Sequence, residues 1–204
     1  MNTPASKPFL RKRMRDMLKN IPPEVKRNAS QRIVQSIATL PVYKRCSLVF
    51  GFIPMRSEPD LSPLYDTALS QGKKVAFPKC LPNGEMTYHL VNKDWRNHVV
   101  KSPYGNLEPQ ADILTPLSAS TLEPSIILVP GLAFSAEGQR LGRSMGFFDR
   151  FLAHNGLSLF SIGICFASQI QRDLPTEPHD STLDCVVTES KTYVTEERHN
   201  QEKC

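Results

Sequence analysis

The chain has 204 residues, enough for a single domain with a full buried core and no need of staples. Lysine plus arginine outnumber aspartate plus glutamate by 25 to 20, a net charge of +5, mild enough for an anionic small-molecule substrate or weak nucleic-acid affinity. Five scattered cysteines with no C-x-x-C support neither a disulfide framework nor a zinc site. No apolar run approaches the ~20 residues that span a bilayer or resembles a signal segment, so a cytoplasmic protein without membrane contact is expected.

Ser6 is placed to cap a helix over 7–20, with Pro8 in its first turn. Phe9, Leu10, Met14, Met17 and Leu18 form its apolar stripe, and Lys7 and Arg11, four apart, share another face. Both cations are either solvated or aimed at an anion. The basic run from Lys7 to Lys19 fits a solvated face; an RNA-binding surface is the alternative, weakened by the lack of interleaved aromatics. After Pro22-Pro23 a second helix runs over 24–40 on a stripe of Val25, Ile33, Val34, Ile37 and Leu40. A first strand over 46–53 leads into Pro54-Met-Arg-Ser-Glu-Pro59, and loops at strand carboxyl ends are where open α/β sheets take ligands. Glu58 is therefore a candidate ligand group, or else a helix-start charge.

A helix over 61–71 closes at Gly72, a strand over 73–77 stops at Pro78, and another covers 85–91 after the turn Pro82-Asn-Gly-Glu85. From the residues alone, Met86 reads as core, Tyr104 as a turn aromatic, Trp95 as a residue without a role, and 110–124 as a surface linker. Ser125-Ile-Ile-Leu-Val129 is a strand buried on both faces. It enters a loop holding Gly131, Gly138, Gly142 and Gly146 with Arg140 and Arg143, and then a helix over 147–154 capped at Asn155-Gly156. Strand, glycine-rich loop and helix together aim backbone N–H groups and a helix dipole at an anion. The loop matches neither G-x-x-x-x-G-K-[ST] nor G-x-G-x-x-G. Two guanidiniums in one tight turn repel unless an anion lies between them. A strand over 157–166, a segment with His179-Asp180, a last strand over 181–188 and a polar, disordered tail over 195–204 complete the chain. Strands alternating with helices specify α/β with a largely parallel sheet. Asp149 beyond the anion loop, Asp180 and Asp184 in an apolar strand are the candidate Mg²⁺ carboxylates, a hard-cation chemistry, with an arginine salt bridge as the other reading of Asp184.

The runs Pro130-Gly-Leu-Ala-Phe134, Gly138-Gln-Arg-Leu-Gly-Arg143 and Gly146-Phe-Phe-Asp-Arg150 closely resemble the signature of 5-formyltetrahydrofolate cyclo-ligases, P-x-L-A-F-D-x-x-G-x-R-L-G-R-G-x-G-Y-Y-D-R. The likeness extends over most of the chain. It implies one domain over 1–194, a three-layer α/β/α sandwich of the type also seen in CoA-transferases. It also implies an ATP-dependent reaction that phosphorylates the N5-formyl oxygen and closes the ring through N10. Lys7, Arg11, Gly138, Arg140, Leu141, Gly142, Arg143, Ser144, Met145, Gly146, Phe147, Phe148 and Asp149 match the ATP-binding positions, with Arg143, Arg140 and Lys7 as the catalytic cations. Glu58, Met86, Tyr104 and Phe147 match folate positions, Asp149 and Asp184 the Mg²⁺ carboxylates, and His179-Asp180 a loop-ordering pair. A monomer is expected. Three departures are evident: Ser135 replaces an aspartate, Ser144 a glycine, and Phe147-Phe148 two tyrosines. A binding paralogue that has lost turnover is the alternative these departures raise.

Overall fold

The computed structural model describes residues 6–110, 117, 124–155 and 159–195. Four helices form first: α1 (Lys7–Asn20), α2 (Pro23–Thr39), α3 (Pro41–Arg45) and, after β1 (Leu48–Phe50), α4 (Ser62–Ser70). Each starts with proline in its first turn, where the missing N–H is harmless. The Ser6 side chain makes no capping bond. Helix α1 buries Leu10, Met14 and Leu18 at four-residue spacing, and α2 buries Ala29, Ser30, Ile33 and Ile37. Phe9 and Val25, expected on the buried stripes, are exposed. Three- and four-residue steps from the real stripe were filled by smaller groups, Ala29 and Ser30 among them, and these set the buried face of α2.

The strands β2 (Lys74–Cys80), β3 (Met86–Val91), β6 (Ser125–Pro130), β9 (Phe160–Ile164), β10 (Cys185–Val187) and β11 (Thr192–Val194) join β1 in a seven-stranded sheet of order β11-β10-β9-β6-β1-β2-β3. The pairings β2/β1, β1/β6, β6/β9 and β9/β10 are parallel, while β2/β3 and β10/β11 are antiparallel at the edges. Strand β2 continues through Pro78, where the sequence predicts a stop. Past Ala76 it has lost β1 as a neighbour, so the absent N–H breaks no ladder on that side. Side chains alternate between two cores. Val49, Val75, Ile126, Leu128, Ile162 and Val187 pack beneath α1–α4. Leu48, Phe50, Ala76, Ile127, Val129 and Val186 pack on the other face against α5 (Phe147–Asn155). The architecture is the expected three-layer α/β sandwich.

Several elements depart from the sequence reading. Trp95, given no role from the sequence, is a packing residue: it is buried, stacked edge-on to Phe77 at 5.0 Å, with Arg96 over its outer face. A hairpin, β4 (Val99–Lys101) and β5 (Leu107–Pro109), carries Tyr104 at its turn. The glycine-rich loop itself contains a second hairpin, β7 (Ala133–Phe134) with β8 (Arg140–Leu141). Thr195, assigned to the tail, is buried and donates both its N–H and its hydroxyl to the Asp184 carbonyl. The Gly156 cap, most of the 110–124 linker and residues 196–204 lie outside the described residues.

Candidate active site

Chain order turns around between β1 and β6: the chain first builds outward through β2 and β3, then returns to β1's other side to build β6, β9 and β10. Loops leaving the carboxyl ends of strands on opposite sides of such a point diverge and leave a crevice. Here the crevice is a cavity of about 360 Å³, within the range that holds a small ligand. The loop after β1 gives Phe52, Ile53, Met55 and Glu58; the ends of β2 and β3 give Pro78, Cys80 and Met86. The β4–β5 turn adds Tyr104, and the loop after β6 adds Gly131, Arg140, Gly142, Arg143, Met145, Gly146, Phe147, Phe148 and Asp149.

Neither arginine waits for an anion with its charge unmatched. Arg140 is buried and donates to Asp149 Oδ1 at 2.6 Å and to the Ser181 carbonyl at 3.3 Å. Burial pulls its guanidinium below the ordinary arginine value, and the charges of Asp149 and Asp180 oppose that shift. Arg143 donates from Nε (3.1 Å) and Nη2 (2.8 Å) to Glu58 Oε1 and from Nη2 to Ser57 Oγ at 3.0 Å. Glu58 Oε2 accepts the Met55 N–H at 2.9 Å, which bends its own loop back toward the cavity. The repulsion expected between the two arginines is thus relieved by one carboxylate each. Sequence spacing could not reveal that, because Glu58 lies 85 positions from Arg143.

Helix α1 closes the loop from outside. Arg11 Nε donates to the Gly142 carbonyl at 3.0 Å and Arg15 Nη2 to the Arg143 carbonyl at 3.1 Å. Lys7 Nζ contacts Asp180 at 2.8 Å and Glu177 at 3.2 Å. Burial works to lower the Lys7 pKa, but the hydrogen bonds and charges of these two acids together raise it above its ordinary value. Asp180 also feels burial first, yet Lys7 and the Glu177 N–H leave it below the usual carboxylate range. Asp180 accepting that N–H at 2.8 Å, with exposed His179 beside both acids, fits the loop-ordering role implied for the pair.

The departures from the family signature have local accounts. Ser135 is fully buried, and its Oγ accepts the N–H groups of Glu137 (3.2 Å) and Gln139 (3.3 Å), so it braces the β7–β8 turn. At Gly138, with φ 84°, a Cβ would meet the Leu183 carbonyl. Ser144 stands at φ 121°, the one non-glycine residue at positive φ among the described residues, at the position where the signature has glycine. Phe147 packs edge-on to Tyr104 with centroids 5.3 Å apart, joining two segments of the cavity wall without a hydroxyl.

Among the described residues that line the cavity, Lys7, Arg11, Gly138, Leu141, Ser144 and Asp184 are absent. Asp184 Oδ2 instead accepts the Ser161 N–H (2.7 Å) and hydroxyl (2.9 Å), binding β10 to β9. That lateral contact engages the half-buried carboxylate between two strands. Ser57, Cys80 and Arg15 were not foreseen. Burial, with Glu108 nearby, pushes the Cys80 thiol up to about 12, so it is an inert wall residue at neutral pH.

A cavity at the switch point of a mostly parallel sheet, with cations and carboxylates converging on it, defines a small-molecule-binding α/β protein. The model of the 5-formyltetrahydrofolate cyclo-ligase family matches residues 3–189. Similar proteins include 5-formyltetrahydrofolate cyclo-ligase of Mycolicibacterium smegmatis, 28% identical over 94% of this chain and 98% of its own length. A probable 5-formyltetrahydrofolate cyclo-ligase of Schizosaccharomyces pombe is 29% identical over 78% of this chain and 83% of its own. Among solved structures, the 5,10-methenyltetrahydrofolate synthetase of Aquifex aeolicus superposes with a TM-score of 0.78 at 26% identity over 93% of both chains. The chain belongs to the 5-formyltetrahydrofolate cyclo-ligase family.

Proposed function

We propose that this protein converts 5-formyltetrahydrofolate to 5,10-methenyltetrahydrofolate with consumption of ATP. The observation that carries the reading is convergence. Glu58, Met86, Tyr104, Arg140, Arg143, Phe147 and Asp149 come from four separate segments and line one cavity, and these are residues that the family resemblance assigns to folate, nucleotide and metal.

The pterin ring fits between Met86, Phe147 and Tyr104, with the Glu58 carboxylate as acceptor for the N–H groups of its aminopyrimidinone edge. The β- and γ-phosphates lie against the backbone of 142–146 and the two arginines, a Gly-rich turn leading into the N-terminus of α5. The N5-formyl oxygen bonds to the γ-phosphorus as ADP leaves. N10 then attacks the formyl carbon, gives up its proton, and expels phosphate to close the ring. The protein's share is positioning and charge neutralisation. Arg143 is held by Glu58 before substrate arrives, so it exchanges that partner for phosphate while Glu58 turns to the pterin. Guanidinium and carboxylate are thus kept oriented, and the carboxylate nearly dry, until the ligands replace each other's partners.

Mg²⁺ takes one or two carboxylates with phosphate oxygens and water, and it offsets charge on the transferring phosphoryl group. Asp149, facing the cavity with one oxygen committed to Arg140, fits that donor set. Asp184, its implied companion, would have to release Ser161 to take part. Arg11 acts on the phosphates through the loop backbone it holds at Gly142, whereas Lys7 holds the 177–180 segment through Asp180 and Glu177.

Absorbance of the methenyl product, followed from 5-formyltetrahydrofolate with and without ATP and Mg²⁺, tests the reading. Product that forms only when both are present is the expected result. Tight folate binding without product selects the paralogue that Ser144 and the missing tyrosine hydroxyls suggest.

A further inference from the structure

We infer that Arg15 of α1 is a nucleotide-binding residue, the cation that gives the cavity its attraction for the triphosphate. The inference rests on the nucleotide reading above and adds to it a side chain outside the positions that the family resemblance assigns. Among the described residues, five charged side chains line the cavity: Arg15, Glu58, Arg140, Arg143 and Asp149. Four of them cancel in pairs, Arg140 with Asp149 at 2.6 Å and Arg143 with Glu58 at 2.8 Å. Arg15 is left over. Among the described residues it has no carboxylate partner, and its one hydrogen bond runs from Nη2 to the Arg143 carbonyl at 3.1 Å.

The helix offers no compensation either. The side chains three and four positions from Arg15 are Arg11, Lys12, Leu18 and Lys19, none of them acidic. Lys7, Arg11, Arg15 and Lys19 stand at successive four-residue steps, on one line along α1. Like charges at that spacing repel and weaken a helix, and an anion facing the line offsets the repulsion. Lys7 reaches the acids of 177–180, Arg11 the Gly142 carbonyl and Arg15 the Arg143 carbonyl. Of these three, Arg15 is the one that also lines the cavity. A guanidinium carries five N–H donors, and the Arg143 carbonyl engages one group of it. Arg15 is exposed, so its other donors are free for phosphate oxygens lying along the 142–146 turn. To take phosphate, Arg143 must give up Glu58 and Arg140 must share Asp149. Arg15 has no acidic partner to release, and it meets the incoming triphosphate with its full charge.

Calorimetric titration with a non-hydrolysable ATP analogue, at low and high salt, reads this contribution directly. Arg15→Gln keeps an N–H donor and removes the charge. It should raise the Kd for the analogue by about 5- to 10-fold at low salt, between the effect of an exposed ion pair and that of a charged hydrogen bond. The gap should narrow at high salt, where exposed charges are screened. Arg15→Lys should recover most of the loss, and Arg15→Glu should weaken binding beyond Arg15→Gln. In the methenyl assay the KM for ATP should rise with the Kd, while kcat and the KM for 5-formyltetrahydrofolate stay within about twofold of wild type. An unchanged Kd in Arg15→Gln would overturn the inference and leave the function standing. Wild-type protein that binds no nucleotide would overturn both. A Kd raised equally at both salt concentrations and in Arg15→Lys, with a lowered Tm, would make Arg15 a brace of the loop. A rise confined to the KM for the folate would make it a folate residue, and either result overturns the inference.

Discussion

Replacing Arg143 with alanine separates the catalytic claim from the structural one. The side chain makes three hydrogen bonds, two to Glu58 Oε1 and one to Ser57. Deleting it leaves a carboxylate that is only 6% exposed with the Met55 N–H as its remaining partner. A fully buried orphan charge costs about 3–5 kcal/mol. Arg143 itself is 33% exposed, so water enters where it stood, and the cost falls to roughly 1–2 kcal/mol. At about 2–4 °C per kcal/mol for a chain of this size, Tm should drop by about 2–8 °C. Losing a preorganised cation at the transferring phosphoryl group should cost about 3 kcal/mol or more in the transition state, roughly 10²-fold in kcat. Arg143→Lys should fall between, keeping the charge and losing the fork. Circular dichroism gives the first number and methenyl formation, measured well below Tm, gives the second. A variant that melts early but turns over within a few-fold of wild type would refute the catalytic role and leave Arg143 as Glu58's counter-ion.

Ser144→Gly should raise Tm by about 1–4 °C. Relief of the positive-φ strain is worth about 1–2 kcal/mol, and the extra freedom of the unfolded glycine takes back ~0.4–1 kcal/mol; an unchanged or lower Tm would show that Ser144 is not strained. Asp149→Asn should increase the Mg²⁺ needed for half-maximal rate, while Asp184→Asn should lower Tm with that requirement unaltered. A raised requirement in the second variant would return Asp184 to the metal. The Lys7–Asp180 clamp has a defined pH window. Asp180, depressed, contributes above its unfolded value near 3.8 and loses that contribution as pH falls through its lower folded value. Lys7, raised, contributes below 10.5 and loses its share as pH climbs through its higher folded value. Asp180→Asn should therefore flatten the Tm–pH curve on the acid side, below about pH 4; an unchanged curve would mean the clamp adds nothing.

The parallel sheet and its loops were legible because buried strands such as Ser125–Pro130 are continuous apolar runs, and because Gly72, Gly138 and Gly146 mark backbone turns. Elements of two or three residues, such as β7, β8 and β11, are too short for a period to register and arise from tertiary pairing. Trp95 shows the same limit. Its neighbours in sequence are polar, but its packing partners Tyr65 and Phe77 come from α4 and β2. For the site, the family likeness brought forward Glu58, Met86 and Tyr104, whose local sequence reads as cap, core and turn. What it could not convey is how charges pair across the fold. Arg143 with Glu58, Arg140 with Asp149 and Lys7 with Asp180 are set by strand order, and Asp184's turn toward Ser161 follows from the β9–β10 register.

The most direct test is a crystal structure with 5-formyltetrahydrofolate and a non-hydrolysable ATP analogue bound together. The pterin is expected against Glu58, Met86 and Phe147, with the triphosphate along residues 142–149 and Arg143 moved from Glu58 to phosphate. Ligands bound elsewhere, or an Arg143–Glu58 pair unbroken with both ligands seated, would contradict the account.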